Sequence, residues 1–114
     1  MERINYNNRI FKSVSNSESG EVSSETVFYY FHNLDLVTAT YSGGKIVFGQ
    51  LIAKVLEDDS LEMRYQHINT NGELMTGKCV STPEILADGK LRLNEKWQWT
   101  SGDSSAGESI IEEI

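Results

Sequence analysis

From residue 25 onward, apolar and polar residues alternate with period two in short runs, and clusters of Gly, Asn, Asp and Ser cut those runs at fairly regular spacing. Nothing else in the sequence constrains the fold as much. Period two sends alternate side chains to opposite faces of a strand. Short turn-forming gaps join antiparallel neighbours, because parallel neighbours need long crossovers. No stretch has the spacing of an amphipathic helix.

The pattern predicts eight strands: 8–15 "NRIFKSVS", 25–32 "ETVFYYFH", 35–42 "DLVTATYS", 45–56 "KIVFGQLIAKVL", 61–69 "LEMRYQHIN", 73–81 "ELMTGKCVS", 90–100 "KLRLNEKWQWT" and 107–113 "GESIIEE". Gly43–Gly44 and "TNG" read as hairpin turns. Gly72, Gly89, Gly102 and Gly107 also read as turn residues, and Pro83 falls in the connection before the seventh strand. Eight meandering strands close into an all-β, antiparallel up-and-down barrel, which leaves no exposed edge. A split sandwich is the alternative. A barrel of this strand number is either filled by side chains or holds one small ligand. With 114 residues the chain reads as a single domain spanning 1–114.

Net charge is −7, which disfavours a nucleic-acid partner or an anionic membrane surface. The single cysteine, Cys79, has no internal disulfide partner. The N-terminal stretch lacks the apolar region of a signal peptide, and no apolar run approaches a membrane span. The expected location is cytoplasmic.

Facing can be read strand by strand. Leu61, Met63, Tyr65 and His67 oppose Glu62, Arg64 and Gln66, so the first set is expected inside. Val37, Ala39 and Tyr41 are expected inside on the third strand. On the fourth, Val47, Gly49, Leu51, Ala53 and Val55 compete with Ile46, Phe48, Gln50, Ile52 and Lys54; small Gly49 and Ala53 favour the first set. "VFYYF" in the second strand is apolar on both faces, which predicts a cover from a partner subunit or the N-terminal segment. A homodimer is the expectation. Glu108, Glu112 and Glu113 read as a solvated or edge-protecting set.

The seventh strand poses the functional question. Leu91, Leu93, Glu95, Trp97 and Trp99 share a face opposite Arg92, Asn94, Lys96, Gln98 and Thr100. One carboxylate sits among apolar side chains. Desolvation should raise its pKa. Tyr65, His67, Glu95, Trp97 and Trp99 together describe an apolar cup with a few convergent polar groups, the usual makeup of a ligand pocket. Met75 and Cys79 are plausible additions.

The primary expectation is therefore a binder of an unidentified small, partly apolar molecule, with Glu95 and His67 orienting it. Glu95 would look to Tyr65 and His67 for partners. Simple mutual satisfaction of buried polar groups is the competing explanation. An enzyme using an inward Glu95–His67 pair is a second reading, with catalytic residues otherwise unassigned. An interaction module built on "VFYYF" is a third. A metal site of His32, His67 and Glu95 lacks any ligand-spacing motif, and a Cys79–His67 nucleophile pair rests on one thiol. No metal and no cofactor is assigned.

"TATYSGGKIVFGQLI", "MRYQHINTNGELMTGKC" and "GKLRLNEKWQWTSGDSSAGESIIEE" resemble a group of small bacterial proteins of about this length that often carry the label N-acetylglutamate synthase. The resemblance runs from about residue 5 to the end. It implies an acetyltransferase using acetyl-coenzyme A. The pyrophosphate turn of such enzymes, Q/R-x-x-G-x-G/A, has only "QLIAKV" at Gln50–Val55 as a near match, without glycine and on a predicted strand. By fold analogy, the strand count and Trp-rich seventh strand are also similar to the lipocalin and streptavidin type of barrel, although the Gly-x-Trp of lipocalins is absent.

Overall fold

Alternation of apolar and polar side chains becomes alternation of inside and outside in a computed structural model that describes residues 3–114. Eight strands run in order: β1 (Arg9–Asn16), β2 (Val27–Asn33), β3 (Leu36–Gly43), β4 (Ile46–Val55), β5 (Leu61–Asn69), β6 (Leu74–Ile85), β7 (Leu91–Trp99) and β8 (Ala106–Glu113). Each pairs antiparallel with its sequence neighbour, and β8 pairs with β1 to close the barrel. The meander closes rather than splitting into a sandwich because every strand then finds two partners and no edge is left. Among the described residues no helix is long and apolar enough to cross a membrane.

The core is the barrel interior. Phe11, Phe28, Tyr30, Val37, Ala39, Tyr41, Leu51, Ala53, Leu61, Met63, Leu91, Leu93 and Ile111 point inward and are buried. Each fully buried side chain of Leu or Phe size contributes roughly 1.5–3 kcal/mol of transfer free energy. Three inward positions carry glycine under a cross-strand aromatic ring. Tyr41 lies over Gly49, Tyr65 over Gly77 and Trp97 over Gly107, and a Cβ at any of these glycines would collide with the ring above it. The rings shield the bare backbone.

Several expectations need correction. On β4 the inward face changes at a bulge. The register with β5 slips between Ile46 and Phe48, leaving Val47 as the extra residue. Ile46 is therefore buried and Val47 exposed, while Gly49, Leu51 and Ala53 face inward as expected. Gly107 belongs to β8, not to a turn, whereas Gly72, Gly89 and Gly102 do occupy turns at positive φ. Strand β6 runs on through Pro83, which pairs with Leu93 of β7. That proline is tolerated because pairing with β5 ends at Ser81, so no ladder bond on that side needs its missing N–H.

Of the acidic C-terminal set, Glu108 is exposed to solvent as expected, while Glu112 and Glu113 are held by partners and stand at no edge. Glu113 Oε1 accepts from Arg9 Nη1 at 2.7 Å and from the Leu91 N–H at 3.1 Å. Glu112 pairs with Arg92 at 2.7 Å on the outer surface.

Among the described residues, the N-terminal segment from residue 3 does not cover the outer face of β2. Tyr6 is buried at one end of the barrel, where its ring packs near Tyr30 and its hydroxyl donates to the Asp59 carbonyl at 2.6 Å. The outward residues Tyr29 and Phe31 stay 46% and 49% exposed. Phe28 points inward and belongs to the core, so of "VFYYF" only Val27, Tyr29 and Phe31 face out.

Candidate functional site

The candidate site lies at one end of the barrel. There the ends of β1, β5 and β7 meet the loop at 17–26 that joins β1 to β2. Below this mouth lies an internal cavity of about 50 Å³, room for a few water-sized occupants. Tyr65, His67, Glu95, Trp97 and Trp99 all line it, as does Cys79. Period two explains why: Tyr65 and His67 are two residues apart on β5, and Glu95, Trp97 and Trp99 follow the same spacing on β7.

Glu95 sits deeper than the tryptophans. It lies four positions below Trp99, roughly 13 Å along the strand. Its partners differ from those expected. Ser81 of β6 and Ser109 of β8 occupy the cross-strand positions on either side of it. The Ser81 hydroxyl donates a short hydrogen bond to Oε2, and the Ser109 hydroxyl donates to Oε1 at 3.2 Å. Tyr65 and His67 share its cavity without bonding to it. Glu95 keeps some accessible surface, as a residue on a cavity wall does, but surrounding protein shields it from bulk water. That desolvation raises its pKa from 4.5 to about 7, and the two serine hydrogen bonds oppose the rise without cancelling it. A carboxylate offers about four acceptor positions, so two bonds leave capacity for a guest.

His67 has its own network. The Tyr41 hydroxyl lies 3.0 Å from Nδ1, and Nε2 donates to Glu21 Oε1 at 2.7 Å. Asn69, next on the same face of β5, donates from Nδ2 to Glu21 Oε2 at 2.9 Å. The Trp97 indole donates to Asn16 Oδ1 at 3.1 Å, and the Trp99 indole to the Ser19 carbonyl at 3.0 Å. Tyr65 and Trp99 meet edge to face, with ring centroids 5.8 Å apart. Burial pushes the hydroxyls of Tyr41 and Tyr65 and the thiol of Cys79 well above their ordinary pKa, so all three stay protonated at neutral pH. A protonated, buried thiol is no nucleophile.

His32 lies elsewhere. Its Nδ1 accepts from the Tyr6 N–H at 3.0 Å and its Nε2 contacts the Leu34 carbonyl at 2.7 Å, so it does not join His67 and Glu95. Among the described residues no group of three or more His, Cys, Asp or Glu is placed to hold a metal. Gln50–Val55 is part of β4, so the near match to the acetyltransferase turn opens no helix.

Five residues of the candidate site were not identified from sequence: Glu21, Asn69, Asn16, Ser81 and Ser109. Asn69 and Ser109 could have been found by extending the inward parity of their strands. Glu21 carried no signal, because a loop has no periodicity.

Searches among curated proteins and among solved structures find no match to the chain. A scan of family models does find one. The family described as avidin-like protein matches residues 4–114, which takes in all eight strands and every residue of the cavity. With a closed eight-stranded barrel and an internal cavity walled by aromatics, this chain belongs to the avidin-like protein family.

Proposed function

We propose that this protein binds one small, partly apolar molecule inside its barrel. The observation that carries the reading is the composition of the cavity wall. Phe28, Leu51, Met63, Trp97 and Trp99 supply apolar and aromatic surface, while Glu95 offers unused acceptor capacity within the same cavity. Membership of a family of small-molecule-binding barrels agrees with it. Tyr65 would contribute ring contact, and His67 would act from the mouth. A guest with an N–H or O–H donor suits Glu95 when it is ionised; a guest acceptor suits it when protonated.

The test is a ligand screen read by tryptophan fluorescence and thermal shift, with biotin and apolar analogues as first probes because barrels of this family bind biotin-like molecules. Hits should quench or shift Trp97 and Trp99 emission. Glu95→Gln and His67→Ala should weaken them. Hits that bind both variants as they bind the wild type would place the site elsewhere.

We also infer a homodimer through the outer face of β2 to β4. Phe31, Leu36 and Ile52 stand exposed on that face, with Phe31 and Ile52 flanking Thr38 across neighbouring strands.

A further inference from the structure

Glu21 makes the mouth of this barrel look already occupied. Its two carboxylate oxygens are each held by a separate donor, Oε1 by His67 Nε2 at 2.7 Å and Oε2 by Asn69 Nδ2 at 2.9 Å. Both donors are fixed by the barrel and not by the loop. Tyr41 holds the far nitrogen of His67 at 3.0 Å. Asn69 Oδ1 accepts the N–H groups of Asn71 and Glu73, each at 3.0 Å, which locks the amide with Nδ2 toward the mouth. Its other Nδ2 proton goes to Glu73 Oε1 at 3.1 Å. The His67 side chain is only 1% exposed. A pair of pre-set, buried donors that converge on one carboxylate is a carboxylate-binding seat whether or not Glu21 is in it.

The loop that delivers Glu21 is attached at few points. Between Ser19 and Val22 it is held by the Trp99 bond to the Ser19 carbonyl, the Glu21 carboxylate, a bond from Asn16 Nδ2 to the Val22 carbonyl at 2.9 Å, the local Gly20 N–H bond to the Ser17 carbonyl and the packing of the Val22 side chain against the core. Gly20, Glu21 and Val22 form part of the cavity wall, so the small size of the cavity depends on where this loop lies.

We propose that Glu21 is a built-in stand-in for the ligand's own acid group: the ligand is an apolar monocarboxylate whose carboxylate displaces Glu21 from His67 and Asn69 while its hydrocarbon enters the space the loop gives up. This rests on the barrel being a small-molecule site. The cost of displacing Glu21 lowers apparent affinity by the fraction of time the seat is free.

Glu21→Ala removes CH₂–COO⁻ from a half-buried loop side chain, and acetate is the fragment removed. The variant should melt several degrees below wild type. Sodium acetate should restore most of that loss and shift the side-chain NMR signals of His67 and Asn69, whereas acetamide and sodium chloride at equal concentration should do neither. Hexanoate should bind Glu21→Ala about tenfold more tightly than wild type, since the internal competitor is gone. The seat is disproved if acetamide acts as well as acetate, or if the His67 and Asn69 signals ignore acetate. Hexanol binding as well as hexanoate in both proteins keeps the cavity as an apolar site and removes the acid preference. Acetate filling the seat while hexanoate binds no tighter than acetate keeps the seat and removes the barrel as the site of a small molecule.

Discussion

Tyr41 and His67 meet across a glycine. Gly49 of β4 lies between them in the sheet, and its missing side chain is what lets the Tyr41 hydroxyl come within 3.0 Å of His67 Nδ1. A Cβ at Gly49 would strike the Tyr41 ring and stand 2.9 Å from the His67 Cβ. Gly49→Ala should therefore destabilise by roughly 1–3 kcal/mol through overpacking. Tyr41→Phe, which keeps the ring and leaves Nδ1 unpaired, should cost about 1–2 kcal/mol. Denaturant unfolding checks both. A neutral Gly49→Ala would mean that the two rings have room to part.

Burial of Glu95 makes stability depend on pH in a defined direction. The folded protein holds the Glu95 proton up to about pH 7, while the unfolded chain releases it near 4.5. Between those values the folded state binds more protons, so this residue's contribution falls as pH rises through the window and levels off above it. The gap corresponds to roughly 3 kcal/mol. Glu95→Gln, which cannot ionise, should flatten that part of the profile and melt higher than wild type near pH 8. A wild-type melting curve that does not differ from Glu95→Gln between about pH 5 and 8 would show that Glu95 titrates normally.

Trp99 ties the mouth loop to the barrel through its indole bond to the Ser19 carbonyl. Trp99→Phe keeps an aromatic ring in the wall but loses that donor and part of the buried ring volume. Amide exchange at residues 19–23 should speed up while the strands stay protected. Equal protection in both proteins would assign the holding of the loop to Glu21 and Asn16 alone.

Cys79 should be silent in the native protein. It is buried, and the same burial pushes its thiol up, with Glu95 adding to the effect. A thiol reagent at neutral pH should react at the rate of unfolding and become fast only in denaturant. Rapid native labelling would mean that the cavity opens to the reagent.

Phe31→Asp and Ile52→Asp should convert a dimer to a monomer with little change in melting of the barrel, because both side chains point outward. Light scattering coupled to size exclusion reads the mass. A wild type that runs as a monomer at high concentration would remove the dimer.

Much of this molecule was legible in its sequence. Period two with short polar gaps set the strand order and the inward faces of β3, β5 and β7, and it brought Tyr65, His67, Glu95, Trp97 and Trp99 to one interior. These are local properties: a strand must send alternate residues to opposite sides, and a short gap can only return the chain antiparallel. Tertiary structure decided the rest. Whether Ile46 or Val47 faces in depended on a bulge, which is a mismatch between two strands and not a property of either. Ser81 and Ser109 became the partners of Glu95 through the register of β6 and β8 against β7, which no strand carries alone. Glu21 reached His67 from 46 residues away because barrel closure set a polar loop over the mouth, and only the folded chain brings that carboxylate to its two donors.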